Sequence, residues 1–210
     1  MKNKTHVCIV NLDNLQYLKN CISDLLKQDA SFDCTIIDQN SSEPALNKYY
    51  EELTIQHPFI NIKRNSTNEP LNHMWNWFHE NHDNEYLCYL NNDVRIPTNF
   101  ISDSEKIFEL EKDVAVTFHS TNHPKYFKKT ELSYQIYERG VQGWDYTIRN
   151  ECYHTIPSQL KVYAGDYYLY HEIYITQQKK SACISSSPIL HYQGITGHRP
   201  EILNKRQAPK

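Results

Sequence analysis

Tyr86-Leu87-Cys88-Tyr89-Leu90-Asn91-Asn92-Asp93-Val94 is the stretch on which the fold turns. A short apolar run ends abruptly in polar residues, the pattern of a buried strand that closes in a turn. Toward the N-terminus the same rhythm repeats. Strand-like runs at His6 to Val10, Cys34 to Ile37 and Phe59 to Ile62 alternate with helical patterns at Leu15 to Leu26, Ala45 to Leu53 and Leu71 to His79. Strands alternating with helices build βαβ units, so the expected architecture is α/β, a mostly parallel, doubly wound central sheet flanked by helices in a single domain. Such sheets bind ligands outside the carboxyl ends of their strands. The residues to inspect are therefore Asn11 to Asn14, Asp38 to Ser42 and Asn91 to Asp93.

Toward the C-terminus the pattern loosens. A strand is expected at Val114 to Phe118 and a loop-rich stretch at Asn122 to Lys129. Helical patterns follow near Tyr146 to His154 and Asp166 to Gln177, with short strands around Lys161 to Tyr163 and Ala182 to Ile184. Nothing resembling a linker separates the halves. One domain over 1–210 is expected, with a ligand-binding half at about 1–112, a second half at about 113–203 and a basic tail at 204–210.

The chain of 210 residues is long enough for one sizeable core, and its 16 Tyr and 7 Phe compensate for a hydrophobic share of only 39%. A formal net charge of −3 supplies no field that would gather nucleic acid or an anionic membrane. Six cysteines without CxxC spacing, three of them in strand-like runs, read as buried thiols of a reducing compartment. No apolar stretch approaches a membrane span or a secretion signal, which points to the cytoplasm.

Four segments together resemble the family 2 type of GT-A glycosyltransferases, including small bacterial and phage members. Val7 to Leu18 is similar to the opening strand, polar turn and first helix, and Cys21 to Gln28 to its continuation. Ile36 to Ser42 is similar to "VVDNGSTD" without its Gly, and Asn65 to Asn76 to "N.G...A.N.G" with its glycines replaced. Tyr89 to Pro97 resembles "LNNDV..P", a version of the metal-binding DxD motif. Further on, Val162 to Leu169 and Ile189 to Tyr192 resemble the acceptor-side acidic motif and the late histidine.

The resemblance implies a Rossmann-like GT-A fold and transfer of a sugar from a nucleotide-sugar donor, with UDP as the nucleotide. It also implies a divalent cofactor, Mn or Mg, because a diphosphate leaving group departs with charge that needs a cation. Asp93 and His191 are the implied metal ligands. Asn11, Asp13, Asp38, Asn40, Ser41, Asn72, Asn91 and Asn92 are the implied nucleotide-sugar contacts, Asn91 reaching the ribose or a metal-bound water in place of the usual first Asp. An inverting reaction needs one carboxylate at the acceptor hydroxyl. Asp166 matches the acceptor-side acid, Asp145 in Gly143-Trp144-Asp145 competes with it, and Trp144 offers a platform for the acceptor. Plainer readings stand beside these: Asp166 as a helix N-cap, Asn91 to Asp93 as a polar turn, Trp144 as core.

Two other functions fit parts of the chain. Lost glycines and one lost DxD acid suit an inactive sugar- or nucleotide-binding module, whereas a nucleotidyltransferase would open on a Gly-rich loop, and none of the 5 glycines precedes Gly140. The acceptor is left open between a glycan, another hydroxyl-bearing molecule and a hydroxymethylated base of phage DNA. For DNA, Lys125, Lys128, Lys129, Arg139 and Arg149 are the candidate basic face.

Overall fold

The computed structural model describes residues 2–127, 131–138, 140 and 142–192. Lys128, Lys129, Arg139 and the 204–210 tail lie outside the described residues. The first half runs β1 (Thr5–Asn11), α1 (Leu15–Leu25), β2 (Phe32–Asp38), α2 (Ala45–Gln56), β3 (Ile60–Arg64), α3 (Leu71–Asn81), β4 (Tyr86–Asn91) and β5 (Val94–Arg95). The second half runs α4 (Phe100–Leu110), β6 (Val114–Thr121), β7 (Tyr134–Tyr137), β8 (Asp145–Arg149), α5 (Gly165–Ile175) and β9 (Lys180–His191).

β1, β2 and β4 are buried along nearly their whole length, as central parallel strands covered on both faces must be. Helix α1 presents Leu18, Cys21, Ile22 and Leu25 to them at spacings of three and four, which is a helical stripe against a sheet. The sheet has nine strands in the order β3-β2-β1-β4-β8-β6-β9-β5, with β7 attached to β9. The front half is parallel throughout, β3 to β4. The back half is mixed: β8 runs antiparallel between β4 and β6, while β9 runs parallel to β6 and antiparallel to both β5 and β7.

Two local expectations are corrected. Tyr146 to His154 is not helical: Asp145–Arg149 is strand β8 followed by a 3-10 turn at Asn150–Cys152, because Tyr146 and Ile148 fill the core between β4 and β6. Lys161 to Tyr163 forms no strand, since Asn72 captures the carbonyls of Leu160 and Lys161 instead. The strand β7 falls in a stretch that carries no clear alternation of its own. Five of the six cysteines are buried and Cys183 is half-buried, and all are free thiols. Among the described residues no helix is long and apolar enough to cross a membrane.

Candidate active site

β1 lies between β2 and β4, and the chain order reverses across it, which is where a doubly wound sheet opens a crevice. The polar ends of all three strands are level there. Asn11 stands opposite Asp38, and Val10 opposite Asn91. Asn92 Nδ2 donates to Asn11 Oδ1 at 2.6 Å, Asn11 Nδ2 donates to the Tyr50 hydroxyl at 2.9 Å, and that hydroxyl donates to Asp38 Oδ1 at 3.0 Å. Asp38 Oδ2 also accepts the Ser41 N–H at 3.2 Å. The structure thus brings Asn11, Asp38, Ser41 and Asn92 together. Each Asp38 oxygen keeps lone-pair capacity beyond these bonds.

The loops behind the strand ends need unusual backbone. Asp13, Asn14 and Asn40 all have positive φ, at 55°, 61° and 59°, a region that short polar side chains tolerate better than most. Asn40 therefore fills the place of the family's missing Gly. Asp13 ties the two loops together: its carboxylate accepts the N–H groups of Ser42 at 2.7 Å and Glu43 at 3.0 Å, and its own N–H donates to Ser41 Oγ at 2.7 Å.

On the far side of β4, Val94 of β5 pairs with His191 of β9, and the Tyr192 N–H donates to the Asp93 carbonyl at 3.1 Å. His191 Nε2 comes to 3.3 Å from Asp93 Oδ1, both nearly buried, yet the contact lacks hydrogen-bond geometry and leaves Nε2 an orphaned buried atom. A carboxylate oxygen and an imidazole nitrogen facing each other in this way suit a shared divalent cation. Among the described residues no group of three or more His, Cys, Asp or Glu side chains converges, so water and substrate oxygens would complete the coordination. Trp144 stacks on His191 with centroids 5.1 Å apart and planes at 16°. Both line an open cleft of about 590 Å³ with Thr121, Asn122 and Leu190.

Asp166 sits in the first turn of α5, one residue inside the helix, and the N-cap position belongs to Ala164. Burial raises its carboxyl above the ordinary aspartate value, while the N–H groups of Tyr167 and Asp166 pull it down. A Cβ on Gly143 would lie 2.8 Å from Asp166 Oδ2, so the carboxylate rests against the backbone next to Trp144. Gly165 admits a second close approach: a Cβ there would stand 2.3 Å from Asn72 Oδ1, and Asn72 is fully buried. Asn72 therefore supports α5 from below.

Asp145 is placed elsewhere. It is 0% exposed and accepts the N–H of His119 at 3.0 Å, His119 Nδ1 at 2.8 Å and the Gln142 side-chain amide. Both oxygens face buried donors, and no acceptor hydroxyl could reach them without opening the core. Arg149, one of the candidate basic residues, is likewise spent: it donates to the carbonyls of Val114 and Phe108 and lies over the Phe108 ring. Lys125 remains exposed.

Three contributors escaped the sequence reading. Tyr50 links Asn11 to Asp38, Gln39 clamps Glu69 through bonds to both its N–H and its carbonyl, and His119 holds Asp145. The spacing Leu46, Tyr50, Leu53 marks Tyr50 as facing the core, but nothing local names its partners.

The profile described as Glycosyl transferase family 2 matches residues 6–172. The chain belongs to glycosyl transferase family 2. Every candidate residue except His191 falls within the matched stretch. No curated protein matches the sequence. Among solved structures, GalNAc-T7 with UDP, GalNAc and Mn2+ superposes with a TM-score of 0.75 at 15% identity, over 96% of this chain and 46% of that one. S. aureus TarS 1-349 gives 0.68 at 14% identity, over 88% and 58%. The mannosyltransferase PcManGT from Pyrobaculum calidifontis, in complex with GDP-Man and Mn2+, gives 0.68 at 12% identity, over 86% and 54%. The fold is thus the GT-A fold that these solved glycosyltransferase structures share, and the chain spans about half the length of the structures it matches.

Proposed function

We propose that this chain is a metal-dependent glycosyltransferase that moves a sugar from a nucleoside diphosphate sugar, a UDP-sugar, to an acceptor hydroxyl with inversion. The observation that carries this reading is the meeting of Asp93 and His191 at 3.3 Å beside the strand ends, from segments far apart in sequence. Matched structures that carry UDP or GDP-Man together with Mn2+ support it.

In this reading Asp93 and His191 hold Mg or Mn. When bound, the cation neutralises the charge gathering on the departing diphosphate. Asp38, Asn11, Ser41 and Asn40 take the nucleoside, Asp13 keeps their loops in place, and Asn91 and Asn92 lie against ribose or phosphate. Asn72 seats the helix that carries the base. Asp166 accepts the proton of the acceptor hydroxyl, helped by a carboxyl that burial raises above the ordinary aspartate value. Trp144 walls the cleft by which the acceptor enters. That acceptor is a hydroxyl-bearing glycan. The DNA alternative loses Arg149 from its basic face.

Donor hydrolysis over a panel of nucleotide sugars, with and without Mn, tests the reading. Release of nucleoside diphosphate that stops with chelator, and stops in Asp93→Ala with the fold intact, is expected. A protein that binds UDP equally well with chelator and never releases it from any donor would instead be the binding module.

A further inference from the structure

The four side chains that cross the crevice form one directional chain of donors. The Asn92 amide donates to Asn11, the Asn11 amide to Tyr50, and the Tyr50 hydroxyl to Asp38, at 2.6, 2.9 and 3.0 Å. None of the four is more than 6% exposed, and each bond fixes the orientation of the next group. The amide orientations are set by the network itself, because a carboxylate can only accept, so Tyr50 must donate to Asp38 and Asn11 must turn its NH2 toward Tyr50. The chain starts beside Asp93 and ends on Asp38, so it joins the cation side of the site to the nucleoside side without any ligand in between. Tyr50 itself is held from outside, by the Arg64 guanidinium 5.2 Å from its ring centre.

We propose that Tyr50, which lies on α2 behind the ligand crevice, is a positioning residue that couples nucleoside recognition at Asp38 to cation binding at Asp93. This rests on the assignments of Asp38 and Asp93 under the proposed function. A nucleoside that locks the Asp38 carboxylate in place also locks Tyr50, Asn11 and Asn92, and the cation then meets an Asp93 loop already ordered. Coupling of this kind is reciprocal.

Two binding measurements on the full chain test it. Mn2+ is titrated into the nucleotide-free protein, read by loss of the free-ion magnetic resonance signal, and UDP is titrated in chelator by calorimetry. Asp93→Ala is expected to lose only the first and Asp38→Ala to weaken mainly the second; if neither control moves its own ligand, the proposed function fails rather than the coupling. With the controls in place, Tyr50→Phe is expected to weaken both ligands, each by about 3- to 10-fold, the scale of one buried hydrogen bond. A Tyr50→Phe protein with native melting that loses neither affinity, or only that for UDP, overturns the coupling. In the unmutated protein, saturating uridine, which has no phosphate to chelate a metal, should raise Mn2+ affinity about threefold; an unchanged affinity also overturns it.

Discussion

At the residue scale, burial distinguishes two aspartates that look alike in sequence. Asp145 is fixed among core donors, whereas Asp166 rests on Gly143, the residue before Trp144, with its carboxyl raised by burial. Asp166→Asn should lower transfer by about 100-fold or more with donor affinity nearly constant, measured as kcat against donor Kd. A base must be deprotonated, so the raised carboxyl predicts that kcat/KM falls on acidification through a value above the ordinary aspartate value of about 3.9, with a slope of one. Asp145→Asn should act on the melting temperature instead. Trp144 makes a separate demand: Trp144→Ala should weaken Mn2+ binding by about 2- to 10-fold through loss of the stack on His191, and Trp144→Phe should restore most of it, read by the same ion titration. The sequence could not rank these residues, because exposure is set by strands that arrive from elsewhere. The positions of Asp93 and Asp38 at the ends of buried strands were legible, since each follows an apolar run.

At the element scale, α5 is seated by contact of backbone with side chain. Gly165→Ala would place a methyl group 2.3 Å from Asn72 Oδ1 and force the helix away from α3. A loss of about 1–3 kcal/mol in denaturant unfolding is expected, with partial recovery when Asn72 is shortened to Ser in the same chain. The parallel front half was legible because each of its central strands is an apolar run between helical patterns. The back half was not: β8 reads as an aromatic segment with helical spacing until β4 and β6 are placed on either side of it. The glycine-poor loops were misleading in the same way, since Asn40 adopts a left-handed backbone without being a Gly.

At the scale of the whole molecule, one buried histidine sets a response to acid. His6 of β1 lies against His82 and Phe78 and touches Asn84 and Thr35 through its two ring nitrogens, with Asp33 and Lys2 the nearest charges of either sign. Burial is the main cause that lowers its pKa to about 4 from 6.5. The folded state thus refuses a proton that the unfolded chain takes up. The contribution of His6 to stability should be full above pH 6.5 and fall by up to about 1.4 kcal/mol per pH unit between there and pH 4, where the folded form protonates too. Denaturant unfolding across that range checks it, and His6→Gln should flatten the slope.

β9 bears on how the molecule comes into being. It pairs with β6 in parallel and with β5 in antiparallel fashion, and it brings His191 to an Asp93 roughly 100 residues earlier in the chain, a contact of high sequence separation that local structure does nothing to hasten. During synthesis β1, β2 and β4, with Asn11 and Asp38 at their ends, leave the ribosome first, and the Asp93–His191 pair stays half-made until β9 is threaded beside β6. On the proposed reading, a nascent chain would therefore complete its nucleoside contacts before it completed the pair that would hold the cation.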